Sequence, residues 1–149
     1  MLLKDYIPNL QSKYHNIKFN GIAFNSKEVK TGNIFFAFKG NKTDGNFFIE
    51  DAIKNGSKII ISDKCKKNGW KNNILFLKNK NVRKLLSEFS TKIFNKRPNN
   101  LIAVTGTNGK SSIANFYFQI LNLNNIKVAS IGTLGVVGLN IKYNNFNTT

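Results

Sequence analysis

Eight consecutive residues, Thr105-Gly-Thr-Asn-Gly-Lys-Ser-Ser112, carry the sharpest chemical signal in the chain. They stand between an apolar run, Leu101-Ile-Ala-Val104, and a stretch whose apolar residues recur at helical spacing. A phosphate cradle belongs at such a strand–loop–helix junction. Gly106 and Gly109 let backbone N–H groups turn toward bound oxygens, the helix N-terminus adds its dipole, and Lys110 supplies a point charge to β- and γ-phosphates. Ser111 would place its hydroxyl on Mg²⁺. Gly106, Thr107, Asn108, Gly109, Lys110, Ser111 and Ser112 are therefore the candidate ATP contacts, Lys110 being the candidate catalytic charge and Ser111 the candidate metal contact. The pattern G-x-x-x-x-G-K-S/T is met only in part, because Val104 occupies the first glycine position. An ordinary glycine-rich turn is the plain alternative.

The elements that must hold this loop can be read from hydrophobic spacing. Leu101–Val104 reads as a buried strand. Residues 110–123 read as a helix with Ile113, Phe116, Tyr117, Ile120 and Leu121 on its inner side, and residues 127–131 as a returning strand. Together they predict a right-handed βαβ unit. Upstream, Asn33-Ile-Phe-Phe-Ala-Phe38, Lys58-Ile-Ile-Ile61 and Ile74-Leu-Phe-Leu77 have the length and apolar character of buried strands. Ile49, Ala52 and Ile53 sit at helical spacing before Gly56, a left-handed cap. Asn81 can cap a helix whose Val82, Leu85, Leu86, Phe89 and Ile93 form one apolar stripe. Asn95-Lys-Arg-Pro-Asn-Asn100 interrupts the pattern, which predicts a boundary between a domain over residues 1–97 and a second over 98–149. The expected fold class is α/β: a small N-terminal α/β domain, then the first βαβ unit of a P-loop ATPase-type domain.

Composition excludes several classes. With 41% hydrophobic and 12% aromatic residues, the 149-residue chain can bury a core, so global disorder is out. It has no apolar run of about 20 residues, and its first ten residues lack the apolar stretch of a signal peptide, so a cytosolic protein with no membrane partner is expected. One cysteine, Cys65, and one histidine, His15, give no internal disulfide and no structural zinc site. The net charge is +16, yet only Arg83 and Arg97 are arginine, the residue that reads bases bidentately. Lys, Asn, Ile and Phe are over-used together, as A/T-rich codons would produce, so no nucleic-acid partner is needed to explain the charge. All seven acids lie between Asp5 and Glu88. Residues 89–149 thus hold no carboxylate for a general base or a metal.

The loop Gly106-Thr-Asn-Gly-Lys-Ser111 resembles that of the Mur ligases, cytosolic enzymes that add amino acids to the UDP-linked peptidoglycan precursor. Folylpolyglutamate synthetases share it but usually place Gly between the lysine and the serine, whereas this chain has Lys110-Ser111-Ser112. Phe24-Asn-Ser-Lys-Glu-Val-Lys-Thr-Gly-Asn-Ile-Phe-Phe-Ala37 is similar to the D-S-R-x-V-x-x-G-x-L-F-x-A segment of the family's UDP-binding domain. Asn25 and Lys27 replace its Asp and Arg, and Lys27 keeps the charge without the planar fork. Gly40-Asn-Lys-Thr-Asp-Gly45 and Phe48-Ile-Glu-Asp-Ala-Ile-Lys-Asn-Gly56 resemble G-x-x-x-D-G and F-I-x-x-A-x-x-x-G. Ile131-Gly-Thr-Leu-Gly135 and Asn147-Thr-Thr149 are similar to the branch of the family that adds the third peptide residue.

The resemblance implies that Phe24, Ser26, Asn41, Lys42 and Thr43 contact the uridine part of a UDP-linked substrate, and that Asn147, Thr148 and Thr149 hold the precursor across from the ATP loop. It implies an ATP- and Mg²⁺-dependent, monomeric ligase. Such an enzyme joins a diamino acid, meso-diaminopimelate or L-lysine, to UDP-N-acetylmuramoyl-L-alanyl-D-glutamate. The family also needs a metal-binding glutamate, a carbamoylated lysine, a histidine and an amino-acid-binding domain, none of which is found before Thr149. The chain is therefore expected to be an N-terminal fragment, inactive by itself. Packing is the plain reading of Phe24 and Thr43, and a frayed tail that of Asn147–Thr149. A stand-alone nucleotide or UDP-sugar binding module and a basic nucleic-acid-binding protein stay open.

Overall fold

The computed structural model describes the whole chain except Lys42, Leu134 and residues 139–140 and 144–149; for residues 141–143 only the backbone is described. Two compact units result, Met1–Arg97 and Pro98–Thr149.

The first unit is built on five strands: β1 (Gly21–Ala23), β2 (Asn33–Ala37), β3 (Ile59–Ser62), β4 (Gly69–Lys71) and β5 (Ile74–Lys78), in the order β1-β2-β3-β5-β4. The first four in that order are mutually parallel, with Ile34 opposite Ile59 and Ile60 opposite Phe76, and β4 closes the edge antiparallel to β5. Parallel strands demand cover on both faces, which explains why β2 and β3 are apolar at nearly every position. Alternation then sorts the side chains. Ile34, Phe36, Ile59, Ile61, Leu75 and Leu77 face one cluster with Leu3, Tyr14, Phe19 and Phe89. Phe35, Ala37, Ile60 and Ile74 face the other with Ala23, Val29 and Ala52.

The helices cover these two faces as their stripes require. Helix α2 (Val82–Ile93) buries Val82, Leu85 and Phe89, and its Asn81 cap accepts the Lys84 N–H at 3.0 Å. Phe89 meets the rings of Tyr6, Phe36 and Phe19 at centroid distances of 4.9, 5.2 and 5.7 Å. Helix α1 (Ile49–Lys54) buries Ala52 against the opposite face, and Gly56 follows with φ 104° as the sequence pattern expects. The β4–β5 hairpin turns through Asn72 and Asn73, both at positive φ (50° and 61°), the two-residue geometry that matches strand twist.

The second unit holds helix α3 (Lys110–Leu123) and an antiparallel meander of β6 (Ala129–Gly132), β7 (Gly135–Gly138) and β8 (Ile141–Tyr143). Two expectations change here. Leu101–Val104 belongs to no strand: Leu101 is 87% exposed and Ile102 57%. A strand exists only by pairing, and among the described residues β6 pairs with β7 instead of completing a parallel βαβ sheet. The expected inner side of α3 is also turned out, since Ile113, Phe116, Tyr117 and Ile120 are exposed and only Leu121 is half-buried. Ala114, Asn115 and Phe118 form the half-buried face and line a small cleft with Ser130, Gly132 and Val137. The helix is apolar on more than one side, and the meander covers one. Among the described residues no helix is long and apolar enough to cross a membrane.

Candidate functional site

Of the residues expected to meet a UDP-linked substrate, Phe24, Ser26, Asn41 and Thr43 follow the carboxyl ends of β1 and β2, the edge where open parallel sheets receive ligands. Phe24 follows β1 directly and is 61% exposed, so core packing does not account for it. Ser26 starts a 3₁₀ turn, Ser26–Glu28, and is buried; its carbonyl accepts the Asn55 side-chain N–H at 2.9 Å. Asn25, which stands where the family has Asp, caps that turn by accepting the Lys27 N–H at 3.1 Å and donates to Glu28 at 3.1 Å. An aspartate would cap it equally well, so the replacement costs little.

After β2 the backbone doubles back tightly. Lys39 bridges Asp44, the Gly40 N–H donates to the Thr43 carbonyl at 2.8 Å, and the Gly45 N–H donates to the Phe38 carbonyl at 2.9 Å. A side chain at Gly45 would place its Cβ 2.9 Å from the Phe38 oxygen, so only glycine fits this close approach. Asn41 and Thr43 are exposed on the loop so formed. Lys42, Asn147, Thr148 and Thr149 lie outside the described residues.

Four residues with no assigned role stand behind this loop. Asp44 accepts hydrogen bonds from the Asn46 backbone N–H (2.9 Å) and side chain (2.8 Å), and its other oxygen meets the Lys64 ammonium at 2.5 Å. Asn46 also accepts the hydroxyl of fully buried Ser62 at 2.5 Å, and Ser62 in turn accepts the Lys64 N–H at 3.0 Å. The Lys64 ammonium, then the Asn46 N–H groups, hold the Asp44 carboxyl down from 3.8 to about 2. The Asp-Gly pair in Gly40–Gly45 signals Asp44, but nothing in the spacing of the sequence signals Ser62 or Lys64. Nearby on the sheet, Lys78 ends β5, and a broad concavity of about 590 Å³ is lined by it with Gln11, Lys13, Lys67, Asn68 and Lys80.

In the second unit, Gly106 and Gly109 adopt φ 148° and 76°, and Gly109 is the N-cap of α3. Backbone of that hand favours glycine and swings the loop directly into the helix start. Lys110 is the first helical residue, and its ammonium lies 2.6 Å from the Gly106 carbonyl and 3.1 Å from that of Thr107. Ser111 lies 3.0 Å, hydroxyl to hydroxyl, from Thr133 in the β6–β7 connection. All seven loop residues, 106–112, are exposed. The structure thus brings Ser111 beside a second hydroxyl, which the Gly-Thr segment of Ile131–Gly135 carries but spacing alone did not assign.

The model of the Mur ligase family, catalytic domain, matches residues 18–93, just over half of the sequence. The chain belongs to the Mur ligase family. A protein of Rickettsia montanensis named UDP-N-acetylmuramoyl-L-alanyl-D-glutamate–2,6-diaminopimelate ligase is 44% identical over 128 residues, covering 86% of this chain and 26% of its own. A solved structure bearing the same enzyme name superposes with TM-score 0.70 at 25% identity, over 95% of this chain and 29% of that one. The MurF ligase of Thermotoga maritima, solved in complex with ADP, gives TM-score 0.52 at 26% identity over 68% and 23% of the two chains. The chain spans about a quarter of the length of the curated relatives it matches.

Proposed function

We propose that residues 1–97 form the UDP-precursor-binding domain, and residues 98–149 the ATP-binding start, of a ligase that joins diaminopimelate to UDP-N-acetylmuramoyl-L-alanyl-D-glutamate. The observation that carries this reading is Lys110 at the first position of α3 behind left-handed Gly109, with its ammonium over the loop. The names of the relatives support the substrate and the amino acid, and the ADP complex of the MurF ligase supports ATP as the nucleotide.

In the reaction, the D-glutamyl carboxylate attacks the γ-phosphorus of ATP, releasing ADP, and the amine of the diamino acid then displaces phosphate from the acyl phosphate. Lys110 would balance charge on the transferring phosphoryl group, a contribution of position and electrostatics. The residues present fit Mg²⁺ as a minor partner. Ser111 and Thr133 offer neutral oxygens and residues 89–149 no carboxylate, so phosphate oxygens and water would complete the shell. Bound there, Mg²⁺ supplies charge to the phosphates. Phe24 would stack on uracil while Asn41 and Thr43 offer hydrogen bonds to the uridine. A cytoplasmic setting, in keeping with a UDP-linked precursor, and a monomeric chain belong to the same proposal.

Calorimetric titration of the 149-residue chain with ATP·Mg²⁺ and with UDP tests the assignment. Lys110→Ala is expected to abolish ATP binding and spare UDP, and Phe24→Ala to do the reverse. ATP affinity unchanged in Lys110→Ala refutes it. A ligation assay with the chain alone is expected to give no product.

A further inference from the structure

We propose that Asp44 and Lys64 form a positioning clamp that holds the Gly40–Gly45 loop in the shape its exposed residues need to meet the uridine of the substrate. The inference rests on the reading of that loop as part of the UDP site.

The clamp joins two strand ends. Asp44 lies at the return of the loop from β2, and Lys64 two residues beyond the end of β3. Among the described residues, backbone bonds close the loop onto itself, through Gly40 to Thr43 and Gly45 to Phe38. Asp44 ties it to a neighbour. One carboxylate oxygen holds the 3₁₀ turn Gly45–Phe48 by accepting from Asn46, and the other takes the Lys64 ammonium. Asn46 anchors the same turn to Ser62 and donates to Asp63 at 3.3 Å. The Lys64 side chain also lies over the Phe47 ring, with its ammonium 5.6 Å from the centroid, although Phe47 itself is 80% exposed.

Asymmetry of burial assigns the roles. The Asp44 side chain is 11% exposed, with one oxygen satisfied by Asn46 and the other by Lys64, whereas the Lys64 side chain is 57% exposed. An isolated surface pair of this kind contributes little to stability. Here the pair is one member of a connected network, and such groups couple more strongly than their separate deletions suggest. Removing the Lys64 charge should therefore loosen the loop while leaving the core of the unit intact. Asp44→Asn keeps the cap on Asn46 and removes only the charge, so it isolates the same contact from the other side.

The test measures the full chain by two routes. Amide hydrogen exchange at Gly40 and Gly45 reads the loop directly, and UDP titration reads its consequence. In Lys64→Met and Asp44→Asn, exchange at both amides is expected to quicken by more than it does at the amides of β2 and β3, which follow any fall in overall stability, and UDP to bind about 3- to 10-fold more weakly, within the range of pairwise coupling between contacting residues. The double variant should lose no more than either single one, and Lys64→Arg should restore the wild-type values. Unaltered exchange in both single variants overturns the clamp, as does additive loss in the double variant. If wild-type chain fails to bind UDP, the reading of the site falls, and the exchange data show whether the fault lies there or in the clamp.

Discussion

The ammonium of Lys110 lies 2.6 Å from the carbonyl oxygen of Gly106, four residues before it, so the side chain curls back over the loop that leads into its own helix. The charge is thereby spent on two backbone carbonyls, those of Gly106 and Thr107. Phosphate oxygens are stronger acceptors for the same ammonium. Lys110→Gln, which keeps a polar side chain one atom shorter and without the charge, should weaken ATP binding by about 10- to 100-fold, the equivalent of a charge-assisted hydrogen bond. Isothermal titration measures this; a loss under threefold would mean that the lysine serves only its own loop.

Gly109 tests the same loop through its backbone. Nothing lies within 4 Å of where a Cβ would stand, so the cost of Gly109→Ala is conformational: φ 76° is left-handed, and an L-residue there loses about 1–2 kcal/mol. The variant should lower the helicity of the second unit on heating, followed by circular dichroism. A melting curve superposing on wild type would show that the loop relaxes to another shape.

Asp44 gives the first unit a defined acid limb. Its folded carboxyl titrates at about 2 against 3.8 when unfolded, so the stabilisation is full above pH 4 and is lost as the pH falls through about 2. Urea unfolding at steps between pH 5 and pH 2 should show Asp44→Asn flatter than wild type across that window. Parallel curves would remove Asp44 from the account.

Phe89 is the keystone of the aromatic cluster, fully buried and touching Tyr6, Phe19 and Phe36. Phe89→Ala should cost about 3–5 kcal/mol, the range for deleting a buried aromatic ring. Denaturant unfolding of the first unit checks it, and a loss under 1 kcal/mol would mean that the three remaining rings repack around the gap.

Leu101, Ile113, Phe116 and Ile120 leave the second unit with exposed apolar side chains and few buried ones. Native-state hydrogen exchange should therefore find β2, β3 and β5 protected and the amides of β6 and β7 exchanging orders of magnitude faster. Equal protection in both units would show that the meander is stabilised by contacts beyond burial.

The parts of this fold legible in the sequence are those whose physics is local. β2, β3 and β5 read as strands because both faces of each are buried, which leaves a continuous apolar run, and α2 reads as a helix because its stripe and its Asn81 cap agree. β1 and β4 hold three residues each, Gly-Ile-Ala and Gly-Trp-Lys, and become strands only through their neighbours. Leu101–Val104 shows the converse, an apolar run that no neighbour turns into a strand. At the candidate site, Gly106, Gly109 and Lys110 announce themselves by type and spacing. Lys64 and Ser62 do not, because their contact with the loop is made across β3, through a register that no short motif encodes.

The Asn72–Asn73 turn has a bearing on the time course of assembly. It joins β4 and β5, the antiparallel pair of the first unit, across only two residues, so these strands can meet in microseconds. Every parallel pair must wait for a longer crossover, and β2 cannot find β3 until the whole of α1 has been drawn between them. The hairpin at the edge is thus ready early, and the central pair that carries the candidate substrate loop at its carboxyl end is among the last to join.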